Sequence, residues 1–335
     1  MSTASAVPPA TEAPEDRPGP APAVRTTVHS TDVAAPAAAV YAVVADVTTW
    51  PQYFTPNVHV EHLERGERSE RLRIWATANG EVKTWVSRRE LDPEALRVTF
   101  RQEVSTPPVA AMGGTWAVTA TGPGTSRLDL HHDFSAVDDA PENVAWITSA
   151  LDRNSAAELA GIKEVAEQAD LMAELVFGFE DTVHVEGEGT GPDVFDFLNR
   201  SDLWPERLPH VARLDLREEV PGLQVMAMDT TTADGSTHTT ESVRVVFGRD
   251  RIVYKQTTVP ALMSAHTGCW TVTPVPGGVD VTSRHTVTVR TDTIERILGA
   301  GTGVAEAREF IHRALSTNSS TTLRYAKEFA EARRG

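Results

Sequence analysis

The stretch Gly114-Thr115-Trp116-Ala117-Val118-Thr119 returns as Gly268-Cys269-Trp270-Thr271-Val272-Thr273, 154 positions later. Working outward, the other landmarks keep the same order and nearly the same offset. Trp50-Pro51 pairs with Trp204-Pro205, Ser87-Arg88-Arg89 with Ser242-Val243-Arg244, His132 with His285, and Asn154-Ser155 with Asn318-Ser319. The last pair is pushed further apart by an inserted stretch around 293–306. Self-similarity at so long a period marks one whole domain and not one unit of a solenoid. The chain therefore reads as a duplicated domain, 24–170 and 182–333, joined by a linker over 171–181 and preceded by a disordered Ala/Pro-rich tail over 1–23.

Each copy has the same element order. In the first, Asp32 is expected to cap a helix that has Pro36 in its first turn and an apolar stripe at Val40, Val43, Val44 and Val47. In the second, Pro192 and Asp193 precede Val194, Phe195, Phe197 and Leu198. After each Trp-Pro come about six short segments rich in Val, Thr, Trp and Arg, separated by turn signals such as Asn79-Gly80, Pro123-Gly124, Ala233-Asp234-Gly235 and Gly277-Gly278. Each copy ends in a long helical pattern, 141–168 and 304–332, with no Pro inside it. The result is an α+β arrangement in which a curved antiparallel sheet wraps a terminal helix and leaves a cavity.

Composition excludes several function classes. A chain of 335 residues with 40% hydrophobic and 23% charged residues has ample core for two globular domains. A net charge of -16 repels nucleic-acid backbones. No apolar run approaches the roughly 18 residues of a membrane span, and the N-terminus shows neither the basic start nor the apolar run of an export signal. The single cysteine, Cys269, makes no internal disulfide, and a cytoplasmic location is expected.

Strand parity then selects the cavity residues. Leu128, Leu130, His132 and Phe134 share one face, as do Val281, Ser283, His285, Val287 and Val289, so both histidines point inward and His131 points out. Trp116 and Val118, like Trp270 and Val272, also share a face. On the arginine strands either parity set could be internal, and recurrence favours Trp85, Ser87 and Arg89 because Thr240, Ser242 and Arg244 repeat it. An inward histidine is more often a hydrogen-bonded core residue than a catalyst, but its recurrence supports a role in proton transfer near neutral pH. An inward arginine must meet a carboxylate or await a polar ligand. His59 and His62 show no carboxylate or thiol partner at ligand spacing, Gly299-Ala300-Gly301-Thr302-Gly303 lacks the lysine and strand of a phosphate loop, and no serine sits in a nucleophile elbow. No metal and no cofactor are expected.

With these positions established, "WPQYF" at 50–54, "TWVSRRE" at 84–90, "HHDF" at 131–134 and "DRNSAAEL" at 152–159 resemble the aromatase/cyclases of bacterial type II polyketide synthases. The tandem arrangement is similar to that family's di-domain branch, and the resemblance covers nearly everything except the tail. It implies a helix-grip fold of the Bet v 1/START-like kind in each half. It also implies a poly-β-ketone brought by an acyl carrier protein, other synthase subunits as partners, and aldol ring closure followed by dehydration to an aromatic ring. Di-domain members are associated with closure between carbons 7 and 12 of a chain already reduced at carbon 9. By position, Arg89 matches the family's pocket arginine, Trp50 and Trp85 its aromatic wall, His132 a polar pocket position and Asn154 the asparagine of the terminal helix. Seven residues after the first Trp some single-domain relatives have a tyrosine. This chain has Asn57 there, a substrate-binding candidate whose ring-closure geometry need not be theirs.

The expected chemistry fits the residues. Arg89, helped by Ser87, would stabilise the oxyanion, His132 would move protons, and Trp50, Trp85 and Trp116 would orient the flexible chain. The second pocket would hold Arg244, His285, Trp204, Trp270, Ser242 and Asn318, with the main chemistry in the first. The carrier protein would dock on a basic cluster at Arg65, Arg68, Arg71 and Arg73, unless that strand is simply solvated. The rival expectation is a START-like carrier of lipid or polyketide, or a scaffold, that binds without catalysing.

Overall fold

Alternating apolar and polar residues after each Trp-Pro fold into two antiparallel seven-stranded sheets. The structure is a computed structural model that describes residues 23–231, 235 and 237–333. The tail over 1–22 and the turn residues Ala233 and Asp234 lie outside the described residues. The first sheet comprises β1 (Arg25–Val33), β2 (Asn57–Arg65), β3 (Ser69–Ala78), β4 (Glu81–Asp92), β5 (Arg97–Val104), β6 (Val109–Gly122) and β7 (Thr125–Ala136), in the order β1-β7-β6-β5-β4-β3-β2. The second repeats this order with β8 (Val176–Glu186), β9 (Val211–Val220), β10 (Leu223–Thr231), β11 (Thr237–Phe247), β12 (Arg251–Thr258), β13 (Met263–Val275) and β14 (Gly278–Val289).

Helices α1 (Ala37–Ala45) and α2 (Trp50–Tyr53) link the first strand to the rest of its sheet, and α3 (Pro141–Glu167) follows the last strand. Then come α4 (Ala169–Leu175), α5 (Gly191–Asn199), α6 (Trp204–Arg207), α7 (Ile294–Leu298) and α8 (Val304–Ala332). Ile147, Leu151, Leu159 and Ile162 form the buried stripe of α3, and Ile311, Leu323, Ala326 and Ala330 that of α8. Both domains are therefore α+β, with a long helix laid along an antiparallel sheet.

Register explains the repeated Gly-x-Trp. Gly114 lies opposite Phe100 on one side and His132 on the other, and Gly268 is likewise flanked by Tyr254 and His285. A Cβ on Gly114 would stand 2.7 Å from the Phe100 ring, and one on Gly268 2.2 Å from Tyr254. Only glycine leaves room for the neighbouring aromatic ring to cross the strand and reach the histidine.

Two expectations are corrected. Asp32 caps no helix: it is paired in β1, and α1 begins after Pro36 with no side-chain cap. The segment 171–181 is not a linker, because α4 occupies its first half and β8, an edge strand of the second sheet, the rest. Met172 and Leu175 are buried there with Leu262, Met263 and Ile294, so the junction is itself a packed core. The insertion around 293–306 supplies α7, whose Ile294 joins that core, and a glycine turn into α8 closed by the Gly303 N–H donating to Glu306 at 2.9 Å.

The two domains meet through the sheet faces that point away from their cavities. Val58 and Trp75 of the first lie on Val243, Val245 and Val253, on the face of the second sheet opposite its cavity. Lys255, on that same face, is buried and donates from Nζ to the carbonyls of Phe54 (2.7 Å), Thr55 (3.0 Å) and Asn57 (2.7 Å). Burial alone pushes its ammonium down to about 7, and three carbonyl acceptors, one for each N–H, oppose that by favouring the charged form. Among the described residues no helix is long and apolar enough to cross a membrane.

Candidate active site

In the first domain a cavity of about 150 Å³ is lined by Trp50, Trp85, Ser87, Arg89, Trp116, His132 and Asn154, all expected from the sequence. Its centre is Arg89, 2% exposed, which burial pushes down to about 10 and which is still charged at neutral pH. One edge is tied down: Nη2 donates to the Val44 carbonyl at 2.9 Å at the end of α1, and the guanidinium lies 5.0 Å from the Trp50 ring. The Trp50 indole N–H in turn donates to the Val43 carbonyl at 3.3 Å. Buried Glu70, opposite Arg89 on β3, approaches Nη1 at 3.2 Å and balances the charge, and His62 holds the other Glu70 oxygen at 2.9 Å. Nε makes no hydrogen bond within the protein and Nη1 has only the Glu70 contact, so the guanidinium keeps N–H groups for a polar ligand.

His132 is pushed down to about 4 by burial, with the neighbouring His29 acting in the same direction, and is neutral at physiological pH. Phe100 stands edge-on to it at 5.5 Å, and its Nδ1 has no partner. Asn154 donates to the Thr77 carbonyl at 3.1 Å, which turns part of its polarity toward β3. Ser87 lines the cavity, yet its hydroxyl donates to the Arg101 carbonyl at 3.2 Å, leaving only its lone pairs for a ligand.

Asn57 is the residue that the structure moves elsewhere. It is buried at the start of β2, outside the cavity lining, with its carbonyl bound to Lys255 at the domain junction. Its selection rested on the family resemblance, and the β2–β3 register breaks just after it. His59 and His62 do have carboxylate partners: Glu61 at 2.8 Å, two residues along the same strand, and Glu70 at 2.9 Å, which the pairing of β2 with β3 brings close. Of the basic cluster, Arg68 is paired with Glu94 and Arg71 with Glu64 and Glu103, so half of its charge is spent locally.

The second domain repeats the frame around a cavity of about 120 Å³ lined by Trp204, Ser242, Arg244, Trp270, His285 and Asn318. Arg244 is also pushed down to about 10 by burial; it donates to the Leu198 carbonyl at 2.7 Å and lies 5.2 Å from the Trp204 ring. Here Gln224 replaces the counterpart of Glu70, and it turns to Asn199 and Glu218. His285 Nδ1 sits 3.0 Å from His266 Nε2 and 3.2 Å from the Tyr254 hydroxyl, and its Nε2 3.1 Å from Ser283. Burial holds His285 at about 4, and burial with the adjacent His285 holds His266 at about 3.

Sequence reasoning missed Glu70, Glu158, Tyr254, His266 and Lys255. Glu158 had a usable signal, since it follows Asn154 by four on the inward stripe of the terminal helix. Tyr254 and His266 carried one too, as the counterparts of Phe100 and Met112 at the repeat offset. Among the described residues no group of three or more His, Cys, Asp or Glu is placed to hold a metal ion.

Comparison with known proteins agrees with this geometry. A family model described as polyketide cyclase/dehydrase and lipid transport matches residues 24–167. The actinorhodin polyketide synthase bifunctional cyclase/dehydratase of Streptomyces coelicolor is 47% identical over 315 residues, spanning 91% of this chain and 96% of that protein. The granaticin polyketide synthase bifunctional cyclase/dehydratase of Streptomyces violaceoruber is 46% identical over 93% of this chain and 96% of its own. The crystal structure of the di-domain ARO/CYC BexL from the BE-7585A biosynthetic pathway superposes with a TM-score of 0.80 at 54% identity, covering 92% of this chain and 99% of that one.

Proposed function

The chain belongs to the di-domain aromatase/cyclases, the bifunctional cyclase/dehydratases of polyketide synthases, and on that premise we propose that it closes and aromatises the first ring of a ketoreduced poly-β-ketone. The bond formed joins carbons 7 and 12, and the chain arrives tethered to an acyl carrier protein of the synthase, in the cytoplasm. The observation that carries this reading is the fixed Arg89 guanidinium, its Nε without a partner and its Nη1 facing only Glu70, sharing one aromatic-walled cavity with a neutral histidine.

Ring closure needs an enolate on one carbon and a polarised ketone on the other. Neutral His132 accepts the proton from a methylene that two flanking carbonyls already acidify. Charge develops on the attacked carbonyl oxygen, and Arg89 meets it without reorganising, because α1 and Trp50 hold the guanidinium before substrate arrives. Trp50, Trp85 and Trp116 limit how the chain can fold, so cavity shape sets which carbons meet.

Tying a helix to its sheet accounts for one edge of the buried arginine, but a passive carrier of apolar ligands has no use for the N–H left without a partner beside the cavity, whose desolvation costs stability. The test is reconstitution with a minimal polyketide synthase and its ketoreductase, comparing wild type with Arg89→Ala and Arg244→Ala. First-ring aromatic product from wild type, and spontaneously cyclised shunts from Arg89→Ala, are expected. Identical products from all three would overturn the enzyme reading in favour of carriage or scaffolding.

A further inference from the structure

Arg244 is a buried cation without a buried anion. It is 2% exposed, and at about 10 it is still charged at neutral pH. One edge donates to the Leu198 carbonyl at 2.7 Å, whereas Nε and Nη1 make no hydrogen bond, and among the described residues the side chain forms no ion pair. Gln224, directly opposite on β10, offers an amide where Glu70 offers Arg89 a carboxylate at 3.2 Å. The nearby carboxylates are engaged elsewhere. Glu218 stands in solvent on β9 and accepts the Gln224 amide N–H at 2.9 Å, and Asp181, outside the cavity lining, accepts from the Ser316 and Ser319 hydroxyls. A charge removed from water is costly until a group of opposite sign meets it.

The rest of the second cavity has changed in the same direction. It has lost both acids of the first, with Gln224 in place of Glu70 and Thr322 in place of Glu158, whose carboxyl burial pushes up to about 8. It has gained O–H or N–H groups at Thr240, Tyr254 and His266, where the first has Trp85, Phe100 and Met112. Burial raises the Tyr254 phenol, so this hydroxyl keeps its proton. The other titratable groups facing the cavity are His210, His238 and His285, and among the described residues no carboxylate lines it. Trp204 and Trp270 supply flat walls, and about 120 Å³ is room on the scale of one aromatic ring.

We propose that the second cavity is a binding site for an aromatic oxyanion, an aryl carboxylate or phenolate whose oxygen takes the Nε and Nη1 hydrogens of Arg244 while its ring lies against the tryptophan walls. The first cavity, whose arginine already has Glu70, is built instead for neutral ketones. The anion site does not depend on ring closure. Only its natural occupant rests on the aromatase/cyclase reading, under which the phenol formed in the first cavity has this chemistry.

Calorimetry on the full chain with benzoate and its neutral isostere benzamide tests the site. Wild type should bind one benzoate at least about tenfold more tightly than benzamide, the usual margin for hydrogen bonds between charged groups. Hydrogen exchange should show benzoate protecting β11 and β13 and not β4 and β6. Gln224→Glu gives Arg244 the carboxylate that Arg89 has and should abolish the preference for benzoate, as should Arg244→Met. Because Gln224→Glu leaves the tie from Arg244 to Leu198 in place, it decides the matter even when Arg244→Met does not fold. Benzoate bound no more tightly than benzamide, protection on β4 and β6 instead, or a preference that survives Gln224→Glu would each overturn the proposal. The isolated ring-closed product should displace benzoate, and a product that does not would overturn that occupant. Wild type that closes no ring would overturn the proposed function and leave the anion site standing.

Discussion

The two cavities share a frame and differ in chemistry. In both, a buried arginine donates to the carbonyl of a matching helix residue, at 2.9 Å to Val44 and 2.7 Å to Leu198, and lies 5.0 or 5.2 Å from the tryptophan of a Trp-Pro pair. Around that frame His132, Ser87 and Asn154 recur as His285, Ser242 and Asn318, but their neighbours have changed. Glu70 corresponds to Gln224, Trp85 to Thr240, Phe100 to Tyr254, Met112 to His266 and Glu158 to Thr322. The first cavity thus holds an arginine balanced by a carboxylate, a lone neutral histidine and a carboxylic acid. The second holds an arginine without an acid on the facing strand and a histidine saturated by Tyr254, His266 and Ser283. An imidazole whose two nitrogens already have partners is poorly placed to take a substrate proton. The arginine frame persists in both halves because it ties α1 or α5 to its sheet, whereas the proton-moving groups are free to diverge.

The largest expected effect tests this asymmetry directly. Arg89→Ala should lower first-ring product at least about a hundredfold, the usual loss for an oxyanion donor, while Arg244→Ala leaves it within about threefold when both fold. Equal losses, measured by product yield in the reconstitution, would mean that the cavities act together.

Next comes the junction between the domains. The faces of the two sheets that point away from their cavities are not alike. Arg88 and Arg101 on the first are tied to Glu103 and Asp133, whereas their counterparts on the second are Val243 and Lys255, covered by the first domain. Lys255→Met would remove a donor from three carbonyls, of which that of Phe54 keeps the Asn57 N–H, and should cost about 2 kcal/mol in urea unfolding. Because those carbonyls follow Trp50 on α2, first-ring activity should fall although the substitution lies in the second domain. Unchanged activity would show that the first cavity stands without its partner.

Acid should separate the halves as well. Each buried histidine binds its proton later than in the unfolded chain, so between the ordinary 6.5 and about 4 the unfolded state holds more protons and stability falls as pH drops. The second cavity has two groups held this low, His266 and His285, and burial lowers His210 there as well, whereas the first has His132. At roughly 1 to 3 kcal/mol for each, hydrogen exchange on acidification should show β12–β14 losing protection before β5–β7. Simultaneous loss would indicate a single cooperative unit. The smallest effect is expected for Ser87→Ala, a change of about twofold or less in product yield, because its hydroxyl proton already goes to the Arg101 carbonyl. A large loss would make Ser87 a substrate donor after all.

Strand parity and recurrence were enough to place Arg89, His132, Arg244 and His285 in cavities, since a period of two leaves only one inward set once the repeat selects it. The resemblance misplaced Asn57, which packs at the domain junction, and spacing failed at His62 and Glu70, whose contact exists only because β2 and β3 pair.

By itself the sequence determined that the chain is a duplicated α+β domain and which strand faces carry the conserved frame, because both follow from local periodicity and from a repeat that any alignment of the chain with itself exposes. Only the tertiary structure decided the ionisation of Glu158 and His132, the carboxylate opposite Arg89, and the lysine that joins the domains. Those properties depend on which groups are removed from water together, and that is set by packing between segments far apart in the chain.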